Sequence, residues 1–173
     1  MQTKNLILAE LYNKHKKRIF DFLFKFVNNS EIAMDLVQDT FVSFIKSYGD
    51  EKLSEEKSLM LLYTIARNSS INYGKKFSTL KESSGDVDVF SANNSISLER
   101  RQELNDMEQR LYFLLSKFPE DQKTAFLLKN IEDLTLVQIA EIMDISVSTA
   151  SRLVIKATST LIEMAKTEGI SIE

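Results

Sequence analysis

A chain of 173 residues with one proline, four glycines and 43% hydrophobic residues can fill one good core or two small ones, and it is too poor in chain-reversing residues for a turn-rich all-β fold. Cysteine is absent, which excludes a disulfide framework, a thiolate metal site and a cysteine nucleophile together. The formal net charge of -3 is not the basic footprint of a general nucleic-acid binder. The distribution is uneven: residues 1–76 hold 12 Lys and Arg against 9 acids, residues 77–119 hold 5 against 7, and residues 120–173 hold 5 against 9. No apolar run approaches the roughly 20 residues that span a bilayer, and the N-terminus lacks a signal-peptide pattern. A soluble cytoplasmic protein with no membrane insertion is expected.

Over residues 5–76 apolar positions recur at three- and four-residue steps, which predicts three helices. His15, the only histidine, stands beside Lys16, Lys17 and Arg18 and reads as solvated. Asn28, Asn29 and Ser30 part the first two helices, with Ser30 as the expected N-cap, and Tyr48, Gly49 and Asp50 end the second. On that second helix Ala33, Leu36, Val37, Phe41, Phe44, Ile45 and Tyr48 form an apolar stripe. Asp35, Gln38, Asp39 and Val42, spaced i, i+3, i+4 and i+7, share the other face. A solvated surface is the simpler reading of these carboxylates, and with no histidine or metal cluster beside them they do not indicate catalysis.

On the third helix Arg67 and Lys75 lie about two turns apart on nearly one side, a spacing suited to following a phosphate backbone. Lys75 and Lys76 also fit as cations near a helix C-terminus. The polar stretch 81–97 (KESSGDVDVFSANNSIS) reads as a flexible linker. Helical patterning resumes near Leu98, and Pro119 is placed to be the first residue of another helix.

Next comes the outline of a helix-turn-helix. Thr135 and Gln138 predict a capping box, with Ile139, Ala140 and Met143 inward. Asp144, Ile145 and Ser146 form the turn, Asp144 tolerating a left-handed backbone and Ser146 capping the next helix. Val147, Ala150, Val154, Ala157 and Leu161 point inward, leaving Ser148, Thr149, Ser151, Arg152, Ile155 and Lys156 on the side that would enter a major groove. The predicted architecture is all-α: two helical lobes, 1–76 and 98–173, joined by a flexible linker over 77–97, the C-terminal lobe being the helix-turn-helix.

The segment AMDLVQDTFVSFIKSY resembles the helix of extracytoplasmic-function (ECF) sigma factors that binds the coiled coil of the polymerase β′ subunit. The family pattern of an acid, Leu-Val-Gln, an acid, Thr and Phe is matched by Asp35 through Phe41. The resemblance implies Asp35, Leu36, Gln38, Asp39 and Phe41 as core-polymerase residues, with Phe41 also packing in the core. The segment LLYTIARNSSINYGKK is similar to the family's next element, matching at Leu62, Tyr63, Ile65, Ala66, Arg67 and Asn68. Leu61 stands where Trp is common, and Asn72 where Asp is common. This likeness implies minus-ten DNA contacts from Arg67, Asn68, Asn72, Lys75 and Lys76. It also implies a preceding loop, 49–57, that captures a flipped base; the acids there are unsuited to phosphate, so a shaped pocket is expected.

The helix-turn-helix, with FPEDQKTAFLL before it, resembles the lobe that reads the minus-thirty-five element. Ile145, Ser146, Val147, Ser148 and Thr149 keep the family pattern, while Ala150, Ser151, Arg152 and Leu153 replace the usual Val, Lys, Ser and Arg. The implied DNA contacts are Ser146, Ser148, Thr149, Ser151, Arg152 and Lys156, a set that neutralises few phosphates. The resemblance as a whole implies a non-enzymatic RNA polymerase sigma factor that directs promoter-specific initiation without cofactor or metal. Its implied partners are core polymerase (β′ coiled coil and β flap), promoter DNA and an anti-sigma factor. A sigma-like decoy that binds an anti-sigma factor without reading promoters is the alternative. The acidic C-terminal lobe favours it, and Arg67, Asn68 and Lys75 stand against it.

Overall fold

A computed structural model describes the backbone of residues 2–84 and 106–169, and the side chains of 6–76 and 106–169. The described residues form seven helices and no strand: α1 (Gln2–Val27), α2 (Ser30–Tyr48), α3 (Glu55–Ser84), α4 (Asp106–Ser116), α5 (Glu120–Asn130), α6 (Leu136–Met143) and α7 (Val147–Thr167). The chain divides into two compact units, Met1–Arg100 and Arg101–Glu173. The expected linker start at 77 falls inside α3, which continues to Ser84; nothing in FSTLKESS supplies the glycine or proline that would stop it. Residues 85–97 of that stretch lie outside the described residues.

In the first unit α1 packs on α2 and α3, and α2 packs on α3. Ile19, Phe22 and Leu23 of α1, Ala33, Val37 and Phe44 of α2, and Leu62, Tyr63 and Ala66 of α3 make the shared core. The Phe22 and Tyr63 rings meet edge-on with centroids 5.2 Å apart, a geometry worth about 0.5–1.5 kcal/mol beyond the area buried. Two asparagines make the break between α1 and α2. Asn28 takes a left-handed φ of 50° and donates its N–H to the Phe24 carbonyl at 2.8 Å, closing α1. Asn29 is then extended, and its Oδ1 accepts the Ile32 N–H at 3.0 Å. Asn29 is therefore the N-cap, and the expected Ser30 is the first helical residue.

Two further expectations change here. Ile45 was expected in the inward stripe and is 44% exposed, at the edge of the arc that α1 and α3 cover. His15 was expected to be solvated and is 4% exposed. Its spacing to Ile19 and Phe22 is i+4 and i+7, so it shares their inward arc although its sequence neighbours are basic.

In the second unit α5, α6 and α4 each pack on α7. Leu115, Leu127, Leu128, Ile139 and Ile142 are almost fully buried, and Ala140, Ala150 and Ala157 permit close helix approach. Pro119 is the N-cap of α5, one residue ahead of the predicted place. The local chemistry of the helix-turn-helix is as expected. Gln138 N–H donates to Thr135 Oγ1 at 3.2 Å while Thr135 N–H donates to Gln138 Oε1 at 2.9 Å. Asp144 is left-handed at φ 54°, and Ser146 Oγ accepts the Thr149 N–H at 3.1 Å. Val147, expected inward, is 44% exposed because it opens the helix beside that cap.

Candidate functional site

Three exposed helix faces gather the residues singled out above. On α2, Asp35, Gln38 and Asp39 are exposed together, set among the exposed apolar side chains Met34, Val42 and Ile45. Met34 and Asp35 also line a shallow depression with Phe20, Ser30 and Glu31. Leu36 and Phe41 are on the opposite arc, 8% and 4% exposed, and Phe41 meets Tyr12 edge-on at 4.9 Å. These two hold α2 against the core and do not lie on its free face.

On α3, Asn68, Asn72, Lys75 and Lys76 are exposed, and their spacing of i, i+4, i+7 and i+8 keeps them on one side. Arg67 borders this face, half-buried, with a terminal nitrogen donating to Asn68 Oδ1 at 3.4 Å. An amide pair beside two exposed ammonium groups offers hydrogen bonds and positive charge along about two turns of helix.

The residues ahead of α3 are shorter as a loop than expected, because Glu55 already opens the helix and Ser54 Oγ accepts the Lys57 N–H at 3.2 Å. Between this loop, the end of α2 and one side of α1 lies a cavity of about 570 Å³. Gly49, Asp50, Glu51, Lys52 and Leu53 line it from the loop, and Leu11, Lys14 and His15 line it from α1. Lys14 Nζ sits 2.6 Å from Glu55 Oε2 and holds the Glu55 carboxyl below its ordinary range. His15 Nε2 is 3.6 Å from the other carboxylate oxygen, and burial keeps the imidazole pKa below its usual value. Sequence spacing held the signal for His15, through positions 15, 19 and 22, but its basic neighbours masked it.

On α7, Ser146, Ser148, Arg152 and Lys156 are exposed, and Thr149 and Ser151 are half-buried. Ser146, Thr149 and Arg152 are linked: Arg152 donates to Thr149 Oγ1 at 3.2 Å, and that hydroxyl lies 2.9 Å from Ser146 Oγ. The guanidinium is thereby steadied over the first turn. Ile155, 63% exposed, adds an apolar side chain between Arg152 and Lys156. Among the described residues there is no group of three His, Asp or Glu able to hold a metal, and no helix long and apolar enough to cross a membrane.

Comparisons with known proteins bear on both units. The family model for sigma-70 region 2 matches residues 11–77, and that for sigma-70 region 4 matches residues 108–157. The ECF RNA polymerase sigma-E factor of Haemophilus influenzae is 28% identical over 155 residues, covering 85% of this chain and 81% of the relative. The RNA polymerase sigma-H factor of Pseudomonas aeruginosa is 24% identical, covering 83% and 78%. The RNA polymerase sigma factor YlaC of Bacillus subtilis is 25% identical, covering 82% of each. In fold, the chain is similar to the sigma factor RpoE solved in complex with the anti-sigma factor NepR from Bartonella quintana, with a TM-score of 0.73, 20% identity and coverage of 91% and 96%. With both regions matched in order, the chain belongs to the ECF group of the sigma-70 family.

Proposed function

We propose that this sigma factor directs promoter-specific initiation through the three faces just described, each with its own task. The α2 face docks on the β′ coiled coil of core RNA polymerase. Its exposed acids Asp35 and Asp39, with Gln38 between them and apolar side chains beside them, carry this reading. Acids among apolar groups suit a basic helical partner, since charge sets orientation while apolar area holds it. Leu36 and Phe41 support that face from within.

The α3 face, Arg67, Asn68, Asn72, Lys75 and Lys76, follows the minus-ten strand by phosphate and amide contacts. The α7 face, Ser146, Ser148, Thr149, Ser151, Arg152 and Lys156, enters the major groove at the minus-thirty-five element. Functionally, the docking and melting lobe ends with α3 and the upstream-reading lobe begins with α4, which also meets the β flap. The work is binding and strand separation in the cytoplasm, with no catalytic group or cofactor. An anti-sigma factor is the further partner, in keeping with the complex of the Bartonella quintana protein. The decoy reading is disfavoured, since the curated relatives are named as RNA polymerase sigma factors.

Run-off transcription with purified core polymerase on a promoter library tests the whole assignment, and Asp35→Lys with Asp39→Lys tests the docking face. Exposed helix positions tolerate such changes within about 0.5 kcal/mol of stability. Core affinity should nevertheless fall about tenfold or more, equivalent to about 1.4 kcal/mol. Unchanged affinity in a pull-down with core enzyme removes α2 from the docking site.

A further inference from the structure

The cavity beside the 49–54 loop has an unusual floor. His15 lines it, is 4% exposed, and its Nε2 has no hydrogen-bond partner among the described residues; Glu55 Oε1 at 3.6 Å is beyond hydrogen-bond reach. A buried ring nitrogen left unpaired costs free energy unless something fills the space beside it. The other walls narrow the choice of occupant. Leu11, Phe44 and Leu53 offer apolar surface to a flat ring. Glu10, Asp50, Glu51 and Glu55 outnumber Lys14 and Lys52 around it, so a phosphate or other anion is disfavoured. Ionised carboxylates are acceptors only, which suits a neutral ring carrying an amine.

The cavity also lies along the course proposed for DNA. Ser58 on α3 lines it and precedes Asn72 by fourteen residues, which returns to within about 40° of the same side of the helix. The separation is about 21 Å along the axis, or about six stacked nucleotides at roughly 3.4 Å each. A strand running along Asn68, Asn72 and Lys75 thus reaches the cavity within the length of a short promoter element.

Resting on the proposed minus-ten function of the first unit, we propose that His15 is a specificity-determining residue: its imidazole reads the hydrogen-bonding edge of an unstacked, amine-bearing base held in this cavity. His15 brings α1 into promoter reading, a helix that otherwise serves packing.

The test uses reconstituted holoenzyme and promoters whose minus-ten non-template positions are replaced one at a time by each base and by an abasic residue. Open complexes are counted by permanganate footprinting. Wild type should show one position where an amine-bearing base is preferred and the abasic residue is not tolerated. His15→Phe should flatten that preference by about fivefold or more, the worth of one hydrogen bond, leaving other positions and core affinity unchanged. His15→Gln, which keeps a hydrogen-bonding group, should retain a preference or change its base. Profiles identical in wild type and both variants, with core binding intact, overturn the role of His15 while leaving the sigma reading standing. Failure of wild type to open any promoter overturns the minus-ten reading itself. Because His15 is the only histidine in the chain, its ring signals can also be followed by NMR in the unmutated protein. A minus-ten oligonucleotide added until the α3 signals saturate should shift them, and its abasic counterpart should not; equal shifts from both overturn the inference.

Discussion

The two units solve the same packing problem with opposite resources. The first has three long helices of 26, 19 and 30 residues, an excess of basic side chains and aromatic pairs across the core. The second has helices of 11, 11, 8 and 21 residues, an excess of acids, and alanines where its helices cross. Long helices can afford loosely specified ends, whereas short ones depend on their caps and turns. Each unit also buries a basic side chain, His15 in the first and Lys123 in the second, and burial pushes the Lys123 amine down to about 8. The unit proposed to approach duplex DNA is thus the more acidic one. It is suited to act when polymerase holds it at the promoter, by raising its effective concentration there.

The largest effects should come from the cores. Leu23→Ala and Leu127→Ala each remove a fully buried side chain and should cost about 2–5 kcal/mol. Urea unfolding followed by hydrogen exchange should show protection lost in the first unit for Leu23→Ala and in the second for Leu127→Ala. Loss in both units from either change would erase the distinction between them.

Next in size is the contrast in buried bases, where the sign can be worked out. Lys123 has a folded pKa below its ordinary 10.5, so the folded state resists the charged form, and stability should rise as pH increases from about 8 to 10.5. Lys123→Met should stabilise the second unit at pH 7 by roughly 1–3 kcal/mol and flatten that slope. His15 is likewise lowered, so stability is fully present above 6.5 and is lost as acidification proceeds below it. His15→Phe should remove that acid-side slope alone. Urea midpoints collected across pH check both windows.

DNA contacts should follow at about 1–3 kcal/mol. Arg152→Ala should weaken holoenzyme binding to duplexes with an intact upstream element by that amount, and have no effect when the element is scrambled. With Arg152 and Lys156 as its exposed cations, the α7 face should contribute about 2 to the salt slope. A slope unaltered by replacing both residues would leave the helix-turn-helix as scaffold. The smallest expected change is the cap: Ser146→Ala should cost about 1 kcal/mol and lower the melting temperature of the second unit, while Ser30→Ala, which removes no cap, should be nearly neutral.

Reading the sequence gave unequal results in the two units for the same reason. In the second, Thr135 with Gln138, Asp144 and Ser146 act within a few residues of themselves, and the capping box, the left-handed turn and the next cap all lie where the sequence indicated. In the first, the asparagine pair at 28 and 29 shows the limit. Two adjacent residues of one type can each cap or turn, and only the fold of α1 shows which does which.

Sequence by itself determined the helical class, the order of the two sigma regions, the free face of Asp35, Gln38 and Asp39, and the chemistry of the recognition turn. The class, the face and the turn follow from periodicity and from contacts between near neighbours along the chain, and the order of the regions from the resemblance of their motifs to the family. Only the tertiary structure decided that His15 is buried, that Leu36 and Phe41 face the core while Ile45 stays out, and that α1 and the loop before α3 enclose a cavity. Burial depends on which helices lie against a given arc, and those neighbours are distant in sequence, as Tyr12 and Phe41 are on α1 and α2 and Lys14 and Glu55 are at a separation of 41. No local pattern carries that information; it arises when three amphipathic surfaces are packed into one core.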